Sequence, residues 1–274
     1  MVRMNTKLLG PLSLWKHAWQ TYKAHWKILT LIALVPSLFM YVGMGIALLG
    51  GPIAVILGGI LSLCGAVLFV AMPIAMIGAI RRFDGSAGAA SLKGEYAFGF
   101  SLFWPALLLI IIQIFVHIGS GIFLMIPAVI MAVYGSFSLY GLVLEGKKGI
   151  PAIIHSFSIV SGRWWKTLGR IAFLALPYLV VSLIAAGLAF VISAICGLTA
   201  HSSGYEVVRA LTSAIANVFF GPVAAVYMYK LYISLKETVH PDAPTVPFRR
   251  WLIAFLTVGA LIVVAIPIAA LTIK

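Results

Sequence analysis

The Lys and Arg residues of this chain, nineteen in 274 residues, are not spread along it. All but Arg209 and Lys274 fall in four short blocks. These are Arg3, Lys7, Lys16, Lys23 and Lys27; Arg81, Arg82 and Lys93; Lys147, Lys148, Arg163, Lys166 and Arg170; and Lys230, Lys236, Arg249 and Arg250. Two apolar stretches separate each block from the next. A chain that crosses a bilayer and returns repeatedly to the same face produces this spacing, because Lys and Arg are retained on the cytoplasmic side. The pattern predicts a cytoplasmic N-terminus and, for an odd number of spans, an external Lys274.

Composition points to the same solvent. The chain is 63% hydrophobic and 9% charged, with mean hydropathy +1.13, whereas a soluble domain carries about 25% charged residues. A net charge of +13 would suggest nucleic acid in a soluble protein. Here the cations flank apolar spans, so no nucleic-acid partner is expected. The expected partners are the lipid bilayer and its anionic headgroups at the cytoplasmic face.

A spanning helix needs about 20 apolar residues. Seven stretches qualify: 28–50, 53–80, 100–118, 121–143, 168–198, 208–234 and 252–273. Turns are expected at Gly50-Gly51-Pro52 and Gly119-Ser120-Gly121. The expected fold is all-α, a multi-pass transmembrane helical bundle of six to seven spans. Its organisation reads as a basic amphipathic segment 1–27 that remains on the mature chain, three helical hairpins over 28–235, a Pro-rich linker 236–250 and a seventh span 251–274.

Two segments beside the membrane have interfacial character. In 12–27, Trp15, Trp19, Tyr22 and Trp26 share one helical stripe, with Lys16, Gln20, Lys23 and Lys27 beside it and Ser13 as the expected cap. In 150–166, Ile153, Phe157, Val160 and Trp164 repeat the spacing between Pro151 and the cations Arg163 and Lys166. Such segments serve as anchors or as headgroup-binding surfaces.

Small residues recur every fourth position at Gly50, Ala54, Gly58, Ser62 and Ala66, and again at Ala185, Ala189, Ser193 and Gly197. In lipid, such stripes let helices approach closely. They serve either internal packing or an interface with a second copy or another membrane protein.

Catalytic signals are absent from the sequence. No HExxH, GxSxG, P-loop or EF-hand pattern occurs, and Cys64 and Cys196 lack metal-ligand neighbours. The acidic residues all lie in loops or at span ends, which disfavours a proton-coupled transporter. Gln113, His117 and Asn217 are the polar exceptions within spans, and Asn217 is a candidate partner for Gln113. No catalytic residue, cofactor or metal is expected.

The segment Glu145–Lys166 resembles a family of polytopic bacterial membrane proteins. That family includes the YciC-type inner-membrane proteins and the membrane domain beside some glycerophosphoryl diester phosphodiesterases. The matching residues are Glu145-Gly146, Ala152, Ser156, Ile159, Val160, Gly162, Arg163 and Trp165. The opening SLWKHAWQTYKAHWKILTLIALVPSLF and the run from Pro222 to LYISLK are also similar. The resemblance implies a six-span fold in the cytoplasmic membrane, with the seventh span additional, and implies no phosphodiesterase activity. It makes Glu145, Ser156, Gly162, Arg163, Trp164, Trp165 and Lys166 the candidate functional segment, with Glu145 expected to pair with Arg163 or Lys148. The functional expectation is a non-enzymatic membrane protein with a structural or accessory role in membrane or envelope homeostasis. The alternatives are a transporter or lipid-handling carrier of an uncharged or amphipathic substrate, and an intramembrane lipid-modifying enzyme.

Overall fold

The structure is a computed structural model that describes residues 8–85, 90–122, 125–199, 202–238 and 246–272. Among these residues all regular structure is helical: α1 (Pro11–Ala47), α2 (Pro52–Asp84), α3 (Leu92–Ser101), α4 (Phe103–Ile122), α5 (Met125–Gly135), α6 (Ser138–Glu145), α7 (Ile150–Val160), α8 (Trp164–Ile195), α9 (Ser203–Glu237) and α10 (Val246–Thr272). Six stretches are long and apolar enough to cross a membrane: Pro11–Ala47, Pro52–Asp84, Phe103–Gly121, Met125–Glu145, Trp164–Ile195 and Gly204–Glu237. The fold is the expected all-α, multi-pass type. In α10 the described apolar stretch, Arg250–Val263, is shorter. Arg3, Lys7, His201, His240 and linker residues 239–245 lie outside the described residues.

Lipid-facing surface is plain in the exposure pattern. Leu49 is 81% exposed, Ile195 80% and Ile53 75%, within long series of exposed Leu, Ile, Val and Phe on α1, α2 and α8. In water each such side chain would forfeit about 1.5–3 kcal/mol relative to burial. A hydrocarbon solvent removes that penalty.

The chain divides into two compact units. One comprises Gly10–Ser101 with Arg170–Lys230, and the other is built on Leu102–Gly169 and the segment from Leu231 onward. In the first unit α1 and α2 form a hairpin through Gly50 and Gly51, both at positive φ (78° and 83°). The basic segment and the first span lie in one 37-residue helical run, made of two helices joined across a kink. Gly10 occupies the N-cap position because Pro11 opens the helix. Ser13 therefore lies inside the first turn, and the Ser13 carbonyl lies 2.7 Å from His17 Nδ1. The helix kinks at His25 (φ −127°, ψ 20°), whose ring stacks on Phe83 at 3.8 Å. Tyr22 and Thr30 hydroxyls, 3.2 Å apart, tie the two sides of the kink together. The buried stripe is Leu14, Ala18 and Tyr22, while Trp19 and Trp26 are exposed.

A proline inside α1 is answered by a side chain of α3. Pro36 has no N–H, so the Ile32 carbonyl one turn back loses its helical donor. The buried Tyr96 hydroxyl donates to that carbonyl at 2.7 Å.

The small-residue stripe of α2 does pack internally, but along a different line. A Cβ on Gly58 would collide with the Gly43 carbonyl and stand 2.7 Å from the Ala47 nitrogen. One on Gly65 would stand 2.6 Å from Met40 Cγ. Gly50 is a turn residue and Ala66 is exposed. The reason is geometric: at about 100° per residue, a strict four-residue spacing drifts about 40° at each step, and the contact line returns through Gly65. In α8, Ala185, Ala189 and Ser193 are buried, whereas Gly197 lies beyond the helix in a left-handed turn (φ 67°).

In the second unit α4 runs unbroken through Gly119-Ser120-Gly121, so these residues make no turn. Gly119 instead permits contact with α10. A Cβ there would collide with the Phe255 carbonyl, and a Cβ on Gly259 would collide with the Phe115 carbonyl. The seventh hydrophobic segment is thus seated backbone-to-backbone on α4.

These contacts predict a sharp contrast between neighbours. Gly58→Leu should destabilise the detergent-solubilised protein by about 1–3 kcal/mol through overpacking. Gly59→Leu, with nothing within 4 Å of its Cβ, should leave thermal unfolding unchanged. Equal melting temperatures for the two variants would contradict the assigned packing face.

Candidate functional site

The Glu145–Lys166 segment begins where a spanning stretch is interrupted. Within Met125–Glu145 the helix breaks at Ser136-Phe137, between α5 and α6. A break frees carbonyls and N–H groups that lipid cannot satisfy. Ser156 of α7, fully buried, answers two of them. Its Oγ donates to the Tyr134 carbonyl and accepts from the Phe137 N–H at 3.0 Å. The Gly135 carbonyl accepts from Gln113 Nε2 at 3.0 Å and from Ser138 Oγ at 2.8 Å. Gln113 is therefore engaged at the break, and Asn217 donates to the Ser213 carbonyl one turn back (2.9 Å). Neither uses the other as its partner.

Three positive-φ glycines shape the corner around α7. Gly146 (φ 67°) ends α6 in a left-handed cap, and the Lys147 N–H donates back to the Gly141 carbonyl at 3.1 Å. Gly149 (φ 60°) precedes α7, and Gly162 (φ 73°) follows it. The apolar stripe of α7 faces protein: Ile153, Phe157 and Val160 are buried, as are Ala152 and Ile159. Trp164 sits outside this stripe because α8 begins there.

Glu145 takes neither of its expected partners. Its carboxylate forms an ion pair with Lys236 and accepts from the Tyr232 hydroxyl at 3.2 Å. Arg163 instead donates to the Leu235 carbonyl (3.3 Å) and to Thr238 Oγ1, at the C-terminal end of α9. A cation there also complements the helix dipole. His155 extends the network. Lys147 Nζ, which is only a donor, lies 2.8 Å from His155 Nδ1. The ring must accept at Nδ1, so its proton is on Nε2, which donates to Tyr232 Oη at 3.2 Å. The hydrogen bonds run one way, from Lys147 through His155 and Tyr232 to Glu145. Burial, and next the Lys147 charge, push the His155 imidazole below its ordinary 6.5, with Glu145 opposing.

Trp164 and Trp165 meet edge to face at 4.6 Å. With Met125, Ile126, Val129, Ile130 and Tyr134 they line an apolar groove of about 570 Å³. Trp165 is 78% exposed.

The first unit holds a second polar constellation that sequence reasoning missed. A cleft of about 550 Å³ lies at the C-terminal end of α2, lined by Gly78, Arg81, Arg82, Asp84, Glu95 and Tyr229, among others. Glu95 is 1% exposed, and Arg82 Nε stands 2.7 Å from its Oε1. Its other oxygen, Oε2, has no hydrogen-bond partner among the described residues. It lies against Gly78, where a Cβ would stand 2.8 Å from it. Burial pushes the Glu95 carboxyl above its ordinary range, and Arg82 opposes this. Asp84 forms an ion pair with Lys230. The only sequence trace of this site is Gly78 and Arg82, one helical turn apart. Among the described residues no three His, Cys, Asp or Glu side chains gather as a metal site. Comparison of the chain with protein-family models, curated proteins and solved structures gives no match.

The His155 geometry sets a pH dependence. A depressed histidine pKa favours the neutral ring in the folded state. Its stabilisation is complete above about pH 6.5 and is lost as pH falls through the folded-state value. Thermal unfolding in detergent should show this loss below pH 6.5, and His155→Gln should reduce the slope. Ser156→Ala, which leaves both groups at the helix break unpaired, should cost about 1–3 kcal/mol at any pH. A fully stable Ser156→Ala protein would contradict its bridging role.

Proposed function

We propose that this chain is a non-enzymatic, multi-pass protein of a bacterial-type cytoplasmic membrane, with a structural or accessory role in membrane or envelope homeostasis. The carrying observation is the use made of the polar side chains between Glu145 and Arg163. Glu145, His155, Ser156 and Arg163 each hold a helix end, a helix break or a neighbouring helix. A catalytic group needs a free face toward substrate, and these groups are occupied by their structural partners. The likeness to the YciC-type family fits this reading, because every matched position from Glu145 to Arg163 has a packing, capping or turn role.

The proposed orientation places the N-terminus, the α2–α3 loop, the α6–α8 corner and the end of α9 at the cytoplasmic face, with anionic headgroups as their neighbours. With α10 as a seventh span, the C-terminus is external. The second reading, a lipid-handling carrier, is favoured by the apolar groove beside Trp164 and Trp165, which is of a size to receive an acyl chain. The intramembrane-enzyme alternative has no comparable support.

Two measurements test the proposal. Protein reconstituted into phospholipid vesicles should leave the lipid composition unchanged by mass spectrometry; consumption of any lipid class would overturn the non-enzymatic reading. Reporter fusions after Glu237 should report a cytoplasmic location, and fusions after Lys274 an external one. A cytoplasmic signal at both sites would remove the seventh crossing.

A further inference from the structure

We infer that the cleft at the C-terminal end of α2 binds the headgroup of a singly anionic phospholipid bearing free hydroxyls, with the phosphodiester on Arg81 and a hydroxyl on Glu95. The inference rests on the membrane location proposed above.

Charge selects the ligand class. Among the lining residues, Arg82 is paired with Glu95 and Asp84 with Lys230. Arg81 is exposed and has no ion-pair partner among the described residues. The cleft therefore presents one uncompensated positive charge, and the complementary ligand carries one negative charge. A guanidinium suits a phosphate because its planar fork of donors matches two phosphate oxygens. Position selects the source. Arg81 and Arg82 close a 33-residue helix whose preceding residues are apolar, so the cleft lies where a long apolar helix ends. Under the proposed orientation that is headgroup depth.

The hydroxyl requirement comes from Glu95. A buried carboxylate oxygen without a donor is costly, by about 1–3 kcal/mol or more when charged. Glu95 Oε2 is buried without a donor among the described residues, and Glu95 lines a cleft roomy enough for a ligand. Gly78 leaves the space that this oxygen fills. A glycerol-type headgroup has hydroxyls to donate and keeps the net charge at minus one. A choline headgroup has no donor, and both choline and ethanolamine headgroups are neutral overall and leave the Arg81 charge unmatched.

The test is titration calorimetry of the full-length protein in neutral detergent with dioctanoyl phosphatidylglycerol. Binding should weaken as salt is raised, and Arg81→Gln should weaken it at least about tenfold. Dioctanoyl phosphatidylmethanol, which has the same charge without hydroxyls, should bind about fivefold less tightly. Glu95→Gln should erase that difference. Arg209→Gln, a cation outside the cleft, should change nothing. Because Arg81 is exposed, an unchanged melting temperature for Arg81→Gln separates lost binding from lost folding. Equal affinity of wild type and Arg81→Gln overturns the site, and equal affinity for the two lipids overturns the hydroxyl assignment. Inorganic phosphate or glycerol phosphate binding as tightly as the lipid would assign the cleft to a soluble phosphate instead. Lipid turnover during the titration would contradict the non-enzymatic reading and leave the binding site standing, so the two failures are distinguishable.

Discussion

A hydrocarbon solvent offers no hydrogen bonds, and most of the specific polar structure in this protein answers that constraint. Straight helices satisfy their own backbone. At three places where the helix pattern fails, side chains take over. Pro36 frees the Ile32 carbonyl, and Tyr96 meets it. The break at Ser136-Phe137 frees groups on both sides, and Ser156, Gln113 and Ser138 meet them. The end of α9 exposes the Leu235 carbonyl, and Arg163 meets it.

Helix association in lipid obeys a second rule. Apolar side chains gain little by leaving one hydrocarbon environment for another, so contact must come from close fit. Gly119 against the Phe255 carbonyl and Gly259 against the Phe115 carbonyl are the tightest examples, followed by Gly58 against Gly43. They also show why α10 belongs to the fold: it is seated on α4 through facing glycines.

The helical class and the long spans are legible because each depends on local composition. The roles of particular residues are less legible. A glycine signals either a turn or a close approach, and Gly119 read as the first while serving the second. Small residues at Gly50 and Ala66 fit a numerical spacing that a real helix does not hold. Gly10-Pro11 marked the start of α1 more firmly than Ser13. The Glu145–Lys236 pair spans 91 residues, and the Arg82–Glu95 pair joins separate helices, so no local pattern encodes either. In the segment that carries the family resemblance, Glu145 pairs with Lys236, Ser156 bridges the helix break, Gly162 turns the chain at positive φ and Arg163 meets the Leu235 carbonyl.

The central claim is that these polar side chains replace missing backbone partners. It is tested most directly by a double-mutant cycle on Tyr96 and Pro36, read by thermal unfolding in detergent. Tyr96→Phe alone should destabilise by about 1–3 kcal/mol, because the Ile32 carbonyl is left unmet. In a Pro36→Ala background the residue-36 N–H is restored and supplies the helical bond, so the same Tyr96→Phe change should cost well under about 1 kcal/mol. An equal cost in both backgrounds would contradict the account.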